Sequence, residues 1–196
     1  PRADPVRNRT PAGIDSYPCT GGEGTDPAGR AHRSIDNAGP NVGMFQSKVV
    51  FKQNLNQINS TGIVLLATGS SGDRDFKAPH TNNGKVEEIF APSACAAAYR
   101  KQMLLDAKLE TGIFDRSFFM YVEDLDLGWR CRLMGWKAYY LPDLMVVHGY
   151  QRSSKKWGNE WAGLQCRKNR VRALIKNGSI LFLITTIPKT IYDLFI

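Results

Sequence analysis

The stretch from Phe118 to Trp136, FFMYVEDLDLGWRCRLMGW, constrains this chain more than any other. Three acids, Glu123, Asp124 and Asp126, fall within four residues, between an aromatic run and a helical pattern. Leu127, Cys131 and Met134 recur at i, i+4 and i+7, which predicts one buried stripe on a helix. Asp124 and Asp126 then lie at or near the helix N-terminus, where the dipole favours negative charge. A single acid in that place reads as a cap. Three acids walled by Phe118, Phe119, Met120, Tyr121, Trp129 and Trp136 also fit a carboxylate tuned to act as a general base. Spacing alone leaves both readings open.

The 196 residues suffice for one domain with a real core. Cys19, Cys95, Cys131 and Cys166 are widely spaced, with no C-x-x-C pair and no visible signal peptide, so reduced thiols in a cytoplasmic protein are expected. The net charge of +8 is uneven. Residues 150–178 carry Arg152, Lys155, Lys156, Arg167, Lys168, Arg170, Arg172 and Lys176 against Glu160 alone. Such a block serves an anionic membrane surface or a diphosphate, or is simply a solvated face. No recognition-helix, zinc-finger or RNP-like motif accompanies it, so nucleic acid is not expected as a partner.

Residues 1–40 hold six of the ten prolines and six of the eighteen glycines, with few large apolar side chains. They cannot bury enough surface to offset ordering entropy, and disorder is expected. Residues 42–51 then read as a buried strand and 62–66 as a second. Gly69 to Asp73 make a turn-rich loop, and the pair Asp73 and Asp75 reads as solvated loop charge. Residues 90–100 are rich in alanine and read either as a helix start in the core or as a segment that lets backbone approach a ligand. Cys95 within it reads as a small buried side chain. A short helix follows from Met103 to Leu109. Residues 137–141 form a strand ending at Pro142, and residues 144–148 form another. The apolar tail, residues 179–196, is interrupted by Pro188, Lys189 and Asp193 and is short for a membrane span. It fits equally an interfacial anchor and a core helix.

The order of these features resembles the acceptor-side signature of family 2 glycosyltransferases, particularly the rhamnosyl- and galactofuranosyl-transferase-like branch. Their pattern, G-x-F-D-x-x-F-F-x-Y-x-E-D-x-D-L-x-x-R-x-R-x-x-G-W, is met here by Gly112, Phe114, Asp115, Phe118, Phe119, Tyr121, Glu123, Asp124, Asp126, Leu127, Arg130, Arg132, Gly135 and Trp136. Phe90 to Arg100 resembles the family's "v-f-x-x-s-G-a-x-x-l-y-R", with Ala94 where glycine is usual. Arg167 to Arg170 resembles its "R-N-r" helix. The resemblance runs from about Asn41 to Ile180 and leaves out residues 1–40, where no Asp-x-Asp occurs.

The resemblance implies an α/β chain, a partial GT-A (nucleotide-diphospho-sugar transferase) fold with a mixed sheet. Residues 41–178 would be the C-terminal part of a catalytic domain whose nucleotide-binding half is truncated or replaced. It implies an inverting glycosyltransferase that moves a sugar from a nucleoside-diphosphate sugar to a glycan or lipid-linked acceptor in cell-surface polysaccharide synthesis. The alternative is an inactive fragment that only binds acceptor or membrane. By position in the motif Asp124 is the candidate base, with Glu123 and Asp126 as competitors. Ser93, Ala94, Cys95, Tyr121, Arg130 and Trp157 are the implied substrate contacts. His148 is the implied ligand of Mg²⁺ or Mn²⁺, although a lone histidine is more often structural. A peripheral place on the inner face of the plasma membrane is the implied location.

Overall fold

The computed structural model describes residues 38–81, 84–149 and 155–195. The disorder expected of residues 1–40 lies almost wholly outside the described residues. The fold is mixed α/β, built on strand β1 (Val42–Phe51), all ten residues of which are buried. Both its edges are paired, which makes it an interior strand of the sheet. Strand β7 (Lys137–His148) runs parallel along one edge, from Val42 opposite Lys137 to Phe51 opposite His148. The other edge is shared by two antiparallel partners, β6 (Ala97–Tyr99) at Met44–Gln46 and β2 (Asn54–Ser60) at Val49–Phe51. Strand β5 (Glu87–Ile89) closes the far side of β7. Strands β3 (Ile63–Leu65) and β4 (Ser71–Asp73) form a separate hairpin. A mixed sheet of this kind is consistent with a partial GT-A-like fold.

Helix α1 (Lys101–Asp106) follows β6 and buries Met103. Helix α2 (Glu123–Leu133) carries all three acids in its first turn. Helix α3 (Asn159–Asn177) packs against α2, and α4 (Ile180–Phe195) packs against α3. One core gathers Met44, Ile89, Met103, Leu127, Cys131 and Tyr140 between the sheet, α1 and α2. A second joins Ile63, Ala91, Phe118, Leu125 and Ala173. Contact at Gly128 is close, since a Cβ there would lie 2.3 Å from that of Ala91. A glycine lets α2 rest directly on this segment, and three residues further on the segment meets Asp124.

Three expectations need correction. Leu127 and Cys131 are fully buried, but Met134 is 53% exposed, because α2 stops at Leu133 and Gly135 turns the chain at φ 88°. Pro142 does not end a strand. β7 continues through it, with the register slipping between Ser47 and Lys48 so that residues 142–144 bulge out, a place where a missing N–H costs nothing. The alanine-rich stretch is a 3-10 turn, Ala94–Ala96, leading into β6, and not a helix start. Side chains from β1 hold it there: Ser93 N donates to Gln46 Oε1 at 2.6 Å, and Ser47 Oγ to the Ala96 carbonyl at 2.9 Å. Strand β2 was not legible, being polar apart from Leu55 and Ile58.

Candidate functional site

The acids of α2 are delivered by a loop in unusual backbone geometry. Phe119, Tyr121 and Val122 all have positive φ, at 60°, 69° and 70°. For a β-branched residue such as Val122 this is a true outlier, at a cost of about 1–3 kcal/mol, and it persists only where the surroundings enforce it. Helix α3 does so. Asn169, fully buried, donates from Nδ2 to the carbonyls of Phe118 (2.8 Å), Met120 (2.9 Å) and Tyr121 (2.9 Å). Gln165 Nε2 adds a bond to Phe118 O at 2.8 Å, and Arg172 donates to Ser117 O. The asparagine of the Arg167-Lys168-Asn169-Arg170 run therefore shapes the acidic loop, a role the sequence did not disclose. Asn169→Ala should cost about 1–3 kcal/mol, because the carbonyls of Met120 and Tyr121 lose their side-chain donor and that of Phe118 keeps only Gln165. Urea denaturation measures it, and a variant as stable as the parent would remove the clamp.

The three acids separate on folding. Asp124 is half-buried, and both its oxygens accept backbone N–H groups, Oδ2 from Ala94 at 3.1 Å and Oδ1 from Leu125 at 2.9 Å. Burial raises its pKa against those bonds, and the nearby Asp73 carboxylate adds to the rise. Burial, then the charge of Asp124, push Glu123 up to about 7, and its Oε2 is buried without a hydrogen-bond partner. Asp126 is different. It is fully buried, receiving Arg130 Nε at 3.0 Å, Lys176 Nζ at 2.9 Å and Asn177 Nδ2 at 2.9 Å. Its carboxylate is committed to holding α2 and α3 together, so it does not compete for the role of base. Arg130 is likewise internal. It is 6% exposed and donates also to the carbonyls of Ala107 and Ile113, so it does not face a substrate.

Glu123 carries a pH signature. Its ordinary value is 4.5, so folding favours the protonated form between about 4.5 and about 7. The folded chain then binds more protons than the unfolded one, and this contribution falls as pH rises through that window and is level above it. Glu123→Gln lacks the titration. The stability of the variant relative to the parent should therefore climb from about pH 4.5 to about pH 7 and then hold. Thermal melts across the range check this, and a difference independent of pH would reject the shift.

Asp73 was expected to be solvated. It is half-buried at the end of β4, and burial raises its pKa against the influence of the nearby Ser60 and Ser93 hydroxyls. Asp73 and Asp124 thus converge on the turn at Ser93–Cys95, whose Ala94 and Cys95 are exposed, with Glu123 next to Asp124. Cys95, expected to be buried, lies at the surface. Its surroundings, with the carboxylates of Asp73 and Asp124, push its thiol up to about 11, so no thiolate nucleophile is available near neutral pH. The signal for Asp73 was its Asp-x-Asp pairing. Asp75, the other member, is turned away at φ 58° and accepts from Thr61 Oγ1 at 2.5 Å.

Trp157 is brought to the lead-in of the acidic stretch. It stacks on Trp161 with ring centroids 5.1 Å apart, and both meet Phe119 edge to face at 6.4 and 6.3 Å. Phe119 is 67% exposed, so this aromatic cluster presents a surface to solvent. Tyr121 is half-buried, with its hydroxyl buried and without a partner. His148 is not brought to the carboxylates. It pairs with Phe51, about 16 Å along β1 from the Gln46 that holds the Ser93 turn. Its Nδ1 lies 2.8 Å from Asn59 Oδ1, and burial lowers its pKa. Among the described residues no group of three or more His, Cys, Asp or Glu side chains is placed to hold a metal ion. The described residues therefore do not fit the implied Mg²⁺ or Mn²⁺.

A mixed sheet with an acidic helix N-terminus beside it is consistent with a partial GT-A-like fold. No protein-family model matches the chain. Two curated relatives, from Mycobacterium tuberculosis strains CDC 1551 / Oshkosh and ATCC 25618 / H37Rv, are each 46% identical to it over 39 residues. Both carry the name N-acetylglucosaminyl-diphospho-decaprenol L-rhamnosyltransferase. The matched stretch is 20% of this chain and 13% of each relative. This short-region similarity is consistent with a glycosyltransferase family and supports a transferase.

Proposed function

We propose that the chain forms the acceptor side of an inverting glycosyltransferase. The donor is a nucleoside-diphosphate sugar, and the acceptor is a hydroxyl of a glycan carried on a lipid diphosphate. The observation that carries this reading is Asp124. Its carboxylate is held by the N–H groups of Ala94 and Leu125 beside an exposed turn, and its pKa is raised towards that of a working base. In the reaction the acceptor oxygen attacks the anomeric carbon and the bond from that carbon to the diphosphate oxygen breaks. The nucleoside diphosphate leaves with the electron pair, and the hydroxyl proton passes to the Asp124 carboxylate. Glu123 and Asp73 flank this group. The cluster of Phe119, Trp157 and Trp161 is suited to pack against a sugar ring of the acceptor. The name borne by the curated relatives, with its diphospho-decaprenol acceptor, supports the lipid-linked class.

The direct test is transfer of radiolabelled sugar from a panel of nucleoside-diphosphate sugars to N-acetylglucosaminyl-diphospho-polyprenol. Incorporation into the lipid phase is the expected result. A second reading, an acceptor-binding fragment without turnover, is favoured by the separation of His148 from the carboxylates. Saturable binding of the acceptor with no incorporation from any donor would establish that reading and reject the first.

A further inference from the structure

Helix α4 is inside out. Its inner face carries Phe182 and Leu183, then Thr186, Lys189 and Thr190. Phe182 packs edge to face on Trp129 at 5.7 Å, and Thr186 is 1% exposed. The outer face carries Ile180 (80% exposed), Ile184 (57%), Ile187 (50%) and Ile191 (53%), spaced i, i+4, i+7 and i+11, with Leu181 beside them. A helix on a globular core in water has the opposite arrangement. An unbroken isoleucine stripe of this kind marks a surface that meets an apolar partner.

Charge indicates which partner. Helices α3 and α4 carry Arg167, Lys168, Arg170, Arg172 and Lys189 against Glu160 and Asp193, while Lys176 is already paired with Asp115 and Asp126. Lys189, on α4, lies within the electrostatic reach of Arg167 and Arg170 on α3, so cations gather where the two helices meet. Lys168 and Arg172 flank Val171 and the 67%-exposed Ile175 in a groove along α3. A second copy of this chain would bring the same cations and the same net charge of +8 to the contact. An anionic lipid surface supplies both acyl chains for the stripe and phosphates for the cations. Sixteen residues span about 24 Å of helix, short of the roughly 30 Å bilayer core, and among the described residues no helix is long and apolar enough to cross a membrane.

We propose that α4 lies in the interfacial plane of an anionic bilayer, with its isoleucine stripe among the acyl chains and the cations of α3 and α4 at the lipid phosphates. Tyr192, 54% exposed with Lys189 Nζ 4.8 Å from its ring centre, suits the headgroup level. This placement holds whether or not the chain transfers sugar. It would bring the aromatic cluster and the Asp124 turn to the side of the membrane from which a lipid-linked substrate is offered.

The test is co-sedimentation of the full chain with vesicles of phosphatidylcholine, with and without phosphatidylglycerol, at rising salt. Binding to the phosphatidylglycerol vesicles, weakened by salt, is expected. The double variant Ile184→Asn, Ile187→Asn should lose about tenfold or more in partitioning, while its thermal melt stays close to the parent's because both side chains are exposed. Three results would overturn the proposal. The parent fails to bind phosphatidylglycerol vesicles, or its binding is indifferent to salt and lipid charge, or analytical ultracentrifugation finds a dimer that the double variant converts to monomer without any vesicle binding. The first two need no variant, so a misfolded variant leaves the proposal open to rejection.

Discussion

Asp124→Asn should lower sugar transfer by about 10²–10⁴-fold, the range associated with removing a positioned general base. The substitution is nearly isosteric. The amide keeps one acceptor oxygen, for Ala94 N, now 3.1 Å from Oδ2, or for Leu125 N, now 2.9 Å from Oδ1, and gives up the other bond at about 1 kcal/mol, which the fold can absorb. The fold and the binding of donor should therefore survive, and the loss should fall on kcat. The amide cannot take a proton, so no rise in pH restores the rate. Steady-state kinetics of parent and variant, with isothermal titration of the donor, separate these outcomes. Transfer within threefold of the parent would move the role to Glu123, whose pKa near 7 makes it the next candidate. The corresponding Glu123→Gln variant would then show the full loss.

Asp126→Ala should cost about 3–5 kcal/mol of stability, a large part of the 5–15 kcal/mol typical of a domain. The reason is what remains behind. Arg130 is buried at 6% exposure and loses the carboxylate at 3.0 Å, while Lys176 loses one of its two carboxylates and keeps Asp115 at 2.7 Å. Asn177 loses one of its two acceptors and keeps the Ala173 carbonyl at 3.1 Å. An uncompensated buried charge is far more costly than the pair was worth. Urea denaturation should find the midpoint sharply lowered, or the chain unfolded when purified. Whatever activity survives in the folded fraction should keep the parent's pH profile, since Asp126 takes no proton from substrate. A variant of parental stability but altered pH profile would reverse the assignments of Asp124 and Asp126.

These two carboxylates, two residues apart on one helix, show where local pattern stops. Strand β1 and the start of α2 were legible because their causes are local: an apolar run with strand-forming residues, and acids collected where a helix exposes its N–H groups. The resemblance to sugar transferases was legible for the same reason, since its residues lie in one unbroken run. Which acid faces outward was not. Asp124 and Asp126 sit about 200° apart around the helix axis, but α2 is buried from Leu125 through Cys131 on nearly every side, so periodicity names no solvent face. Burial of Asp126 depends on Lys176 and Asn177, fifty residues away. Asp73 joins the site because a hairpin folds back to Ser93, and Asn169 matters because α3 crosses beneath a loop whose strained backbone no propensity foretells. The inversion of α4 has the same origin. Its isoleucine stripe is plain in the chain, but a helical period cannot distinguish inside from outside. By itself the sequence determined the central strand β1, the acidic helix start and the chemical vocabulary of the site. Only the tertiary structure decided which carboxylate is free, which is locked in an ion pair and which way the last helix turns its apolar face, because each of these depends on long-range neighbours that desolvate or pair the group.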